Sequence, residues 1–289
     1  MLLLTGATGL LGSAVLRRLL ANGIEVRCLV RDPRRLGDER VRVQLVLGDL
    51  AEPASYRRAL RGVDTVVHLA GTARDQAGGS IEEVDGLAAW RLARAAERAG
   101  VERMLWSMRL GATPHHPARV QRAEALAARA LAGAGLELTT LACSLLYGAG
   151  DRRAARLDRL ALLPAVPIAG RGAARVQPLW VEDAAACVVA ALDRPPGRHE
   201  LAGPEVLTER QVVELALRVR GHRRRLVPIP LAVLRPLLQA YEASSGPAAL
   251  LTWEEVLGLA VPMIAERGTA DAEALGVRPQ RMRDAYPRT

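Results

Sequence analysis

Three glycines, each separated from the next by two residues, punctuate Thr5-Gly6-Ala7-Thr8-Gly9-Leu10-Leu11-Gly12. No other feature limits the fold as strongly. A chain that passes from strand to helix within so few residues needs one glycine for the tight turn. A second lets the backbone approach a ligand, and a third lets the helix pack against the strand. Leu2 to Leu4 supplies the apolar run before the turn, and Leu10 to Ala21 the amphipathic stretch after it, stopped at Asn22-Gly23. Such a turn aims free N–H groups and the positive end of the helix dipole at whatever lies above it, which suits a pyrophosphate. Gly6, Thr8, Gly9, Leu10, Leu11 and Gly12 are therefore the expected cradle of a dinucleotide.

The alternation continues. Strands are expected at Ile24 to Val30, Val41 to Leu47, Thr65 to Ala70, Met104 to Met108 and Leu136 to Leu141. Helices are expected at Pro53 to Leu60, Ile81 to Ala99 (closed by Gly100) and Ala118 to Ala132. Short apolar runs alternating with helices predict an α/β fold, a doubly wound parallel (Rossmann) sheet covered on both faces. After Tyr147-Gly148 the pattern loosens, and residues 150–175 show no clear strand. Trp180 to Leu192, with Glu182 and Asp183 in its first turn, reads as a helix, as does Thr208 to Gly221 with Thr208 as N-cap. Pro228, Pro230 and Pro236 are expected to break the next stretch, and Leu251 to Ala265 reads as helix again. The expected organisation is a nucleotide-binding unit of residues 1–145 plus 176–203. A smaller, mostly helical cap of 146–175 plus 204–289 would lie on the substrate side.

The second strand chooses between the two nicotinamide dinucleotides. A free ribose 2′-hydroxyl usually meets an acid at that strand's end, whereas a 2′-phosphate meets an arginine fork. Here the strand ends at Arg31, with Asp32, Arg34 and Arg35 following. The expectation is NADP(H) over NAD(H), with Arg31 as the principal contact. Asp49 and Leu50 follow the third strand and face the adenine, while Ala70 and Gly71 close the fourth and permit close backbone approach. His68, inside an apolar strand, is read as a core residue.

Composition removes whole reaction classes. The sequence contains no lysine, so all 40 of its basic side chains are arginine against 31 acids, a net charge of +9. Schiff-base catalysis, a P-loop lysine and a tyrosine–lysine relay are excluded. The charge is scattered apart from Arg223-Arg224-Arg225 and aromatics are only 3%, which argues against nucleic acid as a partner. Cys28, Cys143 and Cys187 lie far apart among apolar neighbours and read as buried thiols, with no metal site among them. With no apolar run long enough to span a bilayer and the glycine motif directly after Met1 to Thr5, a cytoplasmic protein is expected.

Several segments together resemble the extended and atypical short-chain dehydrogenase/reductase superfamily: TGATGLLG, GDL at 48–50, VVHLAG at 66–71 and YGAGD at 147–151. PLWVEDAAACVVAAL (178–192) and ELAGPEVLT (200–208) are similar to one branch. That branch holds the dehydrogenase-like accessory subunit of respiratory complex I and its bacterial relatives, near the NmrA-like NADP-binding regulators. The resemblance implies a C-terminal lobe that completes a pocket over the nicotinamide. Catalytic members use a serine after the fifth strand and Tyr-x-x-x-Lys on the next helix, the ammonium making the phenol reactive. Alignment places Met108 and Arg109 at the serine positions and, anchored on Glu124, His116 and Val120 at the tyrosine and lysine. The standard machinery does not carry over. His116 is the remaining candidate proton donor, with Arg119 or Arg122 to hold the ribose.

The leading expectation is an NADP(H)-binding protein with a sensing, structural or assembly role and an unidentified protein partner. An oxidoreductase or epimerase-like enzyme with a non-tyrosine donor, acting on an apolar or quinone-like substrate, is the alternative, since Ala161 to Pro167 and Leu226 to Leu238 are apolar. A third is peripheral membrane contact through Arg223 to Arg225 and Leu226 to Leu238.

Overall fold

The computed structural model describes residues 1–72, 74–76, 78–246 and 249–286. β1 (Leu2–Thr5) runs through the glycine turn into α1 (Leu10–Ala21), then β2 (Val26–Val30) and β3 (Gln44–Leu47). α2 (Pro53–Tyr56) leads to β4 (Thr65–His68), α3 (Ala88–Arg98), β5 (Arg103–Arg109), α4 (Arg119–Leu131) and β6 (Glu137–Cys143). The later elements are β7 (Leu146–Tyr147), α5 (Arg152–Leu160), β8 (Ala165–Ala169), β9 (Arg175–Val176), β10 (Leu179–Trp180), α6 (Val181–Ala190) and β11 (Arg198–Leu201). They are followed by β12 (Leu207–Thr208), α7 (Glu209–Val219), β13 (Arg225–Ile229), α8 (Leu231–Ser245), α9 (Trp253–Leu259), α10 (Ala270–Ala274) and α11 (Met282–Ala285).

Seven strands form one sheet in the order β11-β6-β5-β4-β1-β2-β3, every pairing parallel. This is the doubly wound Rossmann arrangement. Strand alternation sends Leu4, Val67, Leu105 and Leu141 into a core with α1 and α6. Leu3, Val66, Met104 and Trp106 enter the opposite core with α3. Chain order reverses between β1 and β4, so the loops leaving these two strands diverge and open a crevice at their carboxyl ends.

A third apolar cluster, including Leu157, Val166, Ile168, Val213 and Leu226, lies among α5, α7, β8 and β13. Thr208 caps α7 with a full capping box, as expected.

Four expectations need correction. Residues 165–169 form a strand, β8, paired in parallel with β13, although Pro167 within it cannot donate to a ladder. The region 224–238 is not broken apart: α8 runs for 15 residues through Pro236, so that proline removes one helical hydrogen bond without ending the helix. The helix expected to reach Ala265 stops at Leu259. Pro262 cannot continue it, and Met263 instead bridges to Val176 while its carbonyl accepts from the Gln177 N–H. The third strand begins at Gln44 because Pro33–Arg42 forms 3-10 turns about Gly37.

No helix among the described residues is long and apolar enough to cross a membrane. Leu105, fully buried at the sheet centre, is expected to cost about 2–5 kcal/mol when replaced by alanine. Leu126, 57% exposed on α4, is expected to cost under about 0.5 kcal/mol as alanine. Urea denaturation of the two variants measures both.

Candidate functional site

The glycine turn is held by contact with the next strand's loop. Gly6 has φ +77°, and a Cβ there would stand 2.5 Å from the Ala70 nitrogen. A Cβ at Gly12 would lie 2.0 Å from the Gly6 carbonyl oxygen. At these two positions side chains are excluded by backbone, so the turn and α1 stay tight against each other. The N-cap of α1 is Gly9, with no side chain to occupy the helix's free N–H groups. This cradle fits the phosphates of a dinucleotide.

Gly9, Leu10, Leu11 and Gly12 form one wall of a cleft of about 430 Å³, with Ala70 and Gly71 beside them. Thr8 sits on the turn itself, half-buried. After β2 and β3, outside the lining of that cleft, Arg31 lies 4.0 Å from Asp49 and donates to the Gln76 side chain at 2.6 Å. Leu50, after β3, packs half-buried against the second core. Arg34 and Arg35 are exposed, while Asp32 accepts the Arg34 N–H as the cap of the following turn. The fold thus brings Arg31 and Asp49 together and gives the Asp32 carboxylate a structural partner.

The reacting corner differs from the expectation built on His116. His116 is buried, its Nδ1 accepts the Ala118 N–H, and its carbonyl accepts from Arg122. Burial lowers its pKa, and it does not line the cleft. Arg119 is engaged on the surface by Asp75 and Glu82. None of His116, Arg119 and Arg122 lines the cleft. Val120 and Met108 do line the cleft, at the positions aligned with the lysine and one serine.

A charge cluster of two buried carboxyls and a partly exposed guanidinium occupies that corner instead. Arg109, the last residue of β5, donates from Nη1 to Glu124 at 2.5 Å and from Nη2 to the Thr72 carbonyl at 3.1 Å, and lies 3.5 Å from Asp85. Its backbone N–H also reaches Glu124 at 3.0 Å. Asp85 accepts the Thr72 N–H, and its Oδ1 would be 2.7 Å from a Cβ at Gly71. A wide π-type turn at Glu82–Leu87 precedes α3 and carries Asp85. Burial pushes the Asp85 carboxyl up to about 7, against the opposing pull of Arg109, and pushes Glu124 up as well.

Sequence reasoning used Glu124 only as an alignment anchor and passed over Asp85. A signal was available. Asp85 follows Ile81 and precedes Ala88, Ala89 and Leu92 on the buried stripe of its helix, as Glu124 stands between Val120 and Ala127. An acid on an apolar stripe must have a buried partner. His68 is core, its Nδ1 2.6 Å from the Thr5 hydroxyl and its pKa lowered by burial to about 4. All three cysteines are free and buried.

A family profile described as NAD(P)H-binding matches residues 6–159. The chain belongs to that NAD(P)H-binding family, within the atypical short-chain dehydrogenase/reductases. It is 32% identical over 234 residues to the ceramide reductase of Caulobacter vibrioides, covering 78% of this chain and 73% of the relative. It is 28% identical over 251 residues to subunit 9 of the NADH dehydrogenase (ubiquinone) 1 alpha subcomplex, mitochondrial, of Arabidopsis thaliana, covering 80% of this chain and 61% of the relative. In fold it is similar to the NADPH-dependent quinone oxidoreductase QOR2 of Escherichia coli, solved with NADPH, with a TM-score of 0.75, 19% identity and 98% of both chains covered.

The raised Asp85 carboxyl has a consequence for stability. An unfolded aspartate titrates near ~3.9, so the folded state holds the proton more tightly. That stabilisation is complete below about pH 4 and is lost as pH rises through about 7. Melting temperature against pH should therefore fall less steeply across this window in Asp85→Asn than in wild type, with Glu124 retaining its own share. Identical profiles would refute the shift.

Proposed function

We propose that the chain binds NADP(H) in preference to NAD(H) across the β1–β4 crevice and retains it for sensing, structural support or assembly with a partner. The observation that carries this reading is an intact phosphate cradle facing a corner with no tyrosine–lysine relay. Val120 and Met108 there offer no proton, and the Arg109 guanidinium is held by Glu124 and the Thr72 carbonyl. NADP(H) is favoured because Arg31 stands at the end of β2 while Asp32 is engaged by Arg34. The Arabidopsis relative is named as a subunit of a larger dehydrogenase, which accords with an assembly role. Three buried free thiols fit a reducing compartment such as the cytoplasm.

One observation favours a second reading, a carbonyl reductase. Asp85 lines the cleft beside Gly71, and burial pushes its carboxyl up to about 7, so a share of it holds a proton near neutral pH. NADPH, when bound, supplies a hydride to a carbonyl carbon; Asp85 would pass its proton to the carbonyl oxygen and be reprotonated from solvent, with Arg109 stabilising the carboxylate left behind. The Caulobacter relative is named as a reductase.

Calorimetric titration separates the cofactors. Wild type should bind NADPH more tightly than NADH, and Arg31→Ala should weaken NADPH about 10-fold or more, the cost of a hydrogen-bonded charged contact, with NADH little changed. Equal affinities in wild type would overturn the NADP(H) assignment. Multiple turnovers of NADPH with a panel of ketones and quinones, lost in Asp85→Asn, would replace the first reading by the second.

A further inference from the structure

A second cavity lies inside the cap. Its volume is about 230 Å³, and its walls include Leu157, Leu160, Ile168, Val213, Val256 and Leu259. Three residues, Arg153, Arg156 and Leu259, line both this cavity and the nucleotide cleft. The two spaces therefore adjoin at a partition that is cationic on α5 and apolar on α9. The dinucleotide reading makes no use of this cavity.

The partition has unmet polar capacity. Arg153 pairs with Glu209 through Nη2 and Oε1, yet its Nη1 and the Glu209 Oε2 are buried with no hydrogen-bond partner. Arg156, one turn along α5, donates to the Leu250 carbonyl at 3.0 Å and to Glu255 at 3.3 Å. Burial and the neighbouring cation Arg153 lower its pKa, against the opposing pull of Glu255. Asp151, held up by burial, faces the same guanidiniums. An unpaired buried guanidinium N–H is costly, and an oxygen acceptor brought by a ligand relieves it.

The outer rim of the cavity carries aliphatic side chains beside the exposed Arg171. Leu231 lines it, is 37% exposed, and heads α8, whose Val233 and Leu237 are 51% and 59% exposed. Pro167, also lining it, pairs across the strands with Val227, which is 41% exposed. The cavity thus joins a polar partition on one side to exposed aliphatic surface on the other.

We propose that the cap cavity binds the aliphatic chain of an amphiphilic ligand whose oxygen-bearing head group sits at Arg153 and Arg156, beside the nucleotide cleft. A chain in this space gains by leaving water, and the head group satisfies the arginines that separate it from the cofactor.

The test uses straight-chain alkanoates of increasing length, each below its micellar concentration, titrated calorimetrically into the full chain with and without saturating NADPH. Affinity should tighten roughly three- to fourfold for each added methylene and then level off once the cavity is full. Ala169→Trp, on the half-exposed face of β8 that lines the cavity, should end the rise at a shorter chain. Arg156→Gln should weaken every alkanoate by a similar factor without altering the increment per methylene. Ala169→Trp, which lies outside the nucleotide cleft, should keep wild-type NADPH affinity, and both variants should keep the wild-type far-UV circular dichroism spectrum, which controls for folding. Affinity independent of chain length, or a rise that Ala169→Trp leaves unchanged, would overturn the proposal. Loss of NADPH binding in wild type would instead count against the dinucleotide reading, with the alkanoate series on the free protein still deciding this one.

Discussion

The architecture turns on one close approach of two backbones. The Gly6 turn after β1 lies so near the Ala70 segment after β4 that a single methyl group on Gly6 would strike a peptide nitrogen. These are the two strands between which chain order reverses, so the same approach that seals the sheet's upper edge also shapes the floor of the crevice. Gly12, packed on the Gly6 carbonyl, fixes where α1 begins and hence where its free N–H groups point. Cradle and sheet are one construction.

The reacting corner is governed by a different constraint, the burial of charge. Two carboxyls and one guanidinium share a small apolar space, and full ionisation of all three would leave an excess negative charge there. Raising Asp85 toward neutrality resolves this, since a protonated Asp85 leaves Arg109 and Glu124 as a balanced pair. A chain without lysine has thereby kept a cation at this corner, but from the end of β5 rather than from the helix that follows. The cation is committed to Glu124 and a backbone carbonyl, which is unlike a free ammonium poised beside a phenol.

Six of the seven strands of the sheet were legible because each is a short apolar run and each helix between them an amphipathic one, whereas β11, Arg-His-Glu-Leu, carries no such run and is recruited by pairing with β6. The placement of Arg31 and Asp49 just after strand ends was legible for the same reason. What escaped was decided by distant partners. Met263 leaves the helical pattern because Val176 and Gln177 offer it pairing. β8 exists because β13 lies alongside, some 60 residues later in the chain. α8 survives Pro236 where local rules expected a break. His116 had only its position along the chain to recommend it, and position did not reveal that the ring would turn inward to cap Ala118.

By itself the sequence determined the parallel sheet, the phosphate turn and the absence of lysine chemistry, because these follow from residue identity and local periodicity. Only the tertiary structure decided which charges meet. Asp85, Arg109 and Glu124 come from three separate elements, and the Arg153–Glu209 pair bridges two more. Their protonation and pairing depend on how much water and how much opposite charge surround them, and neither quantity exists until the elements have packed together.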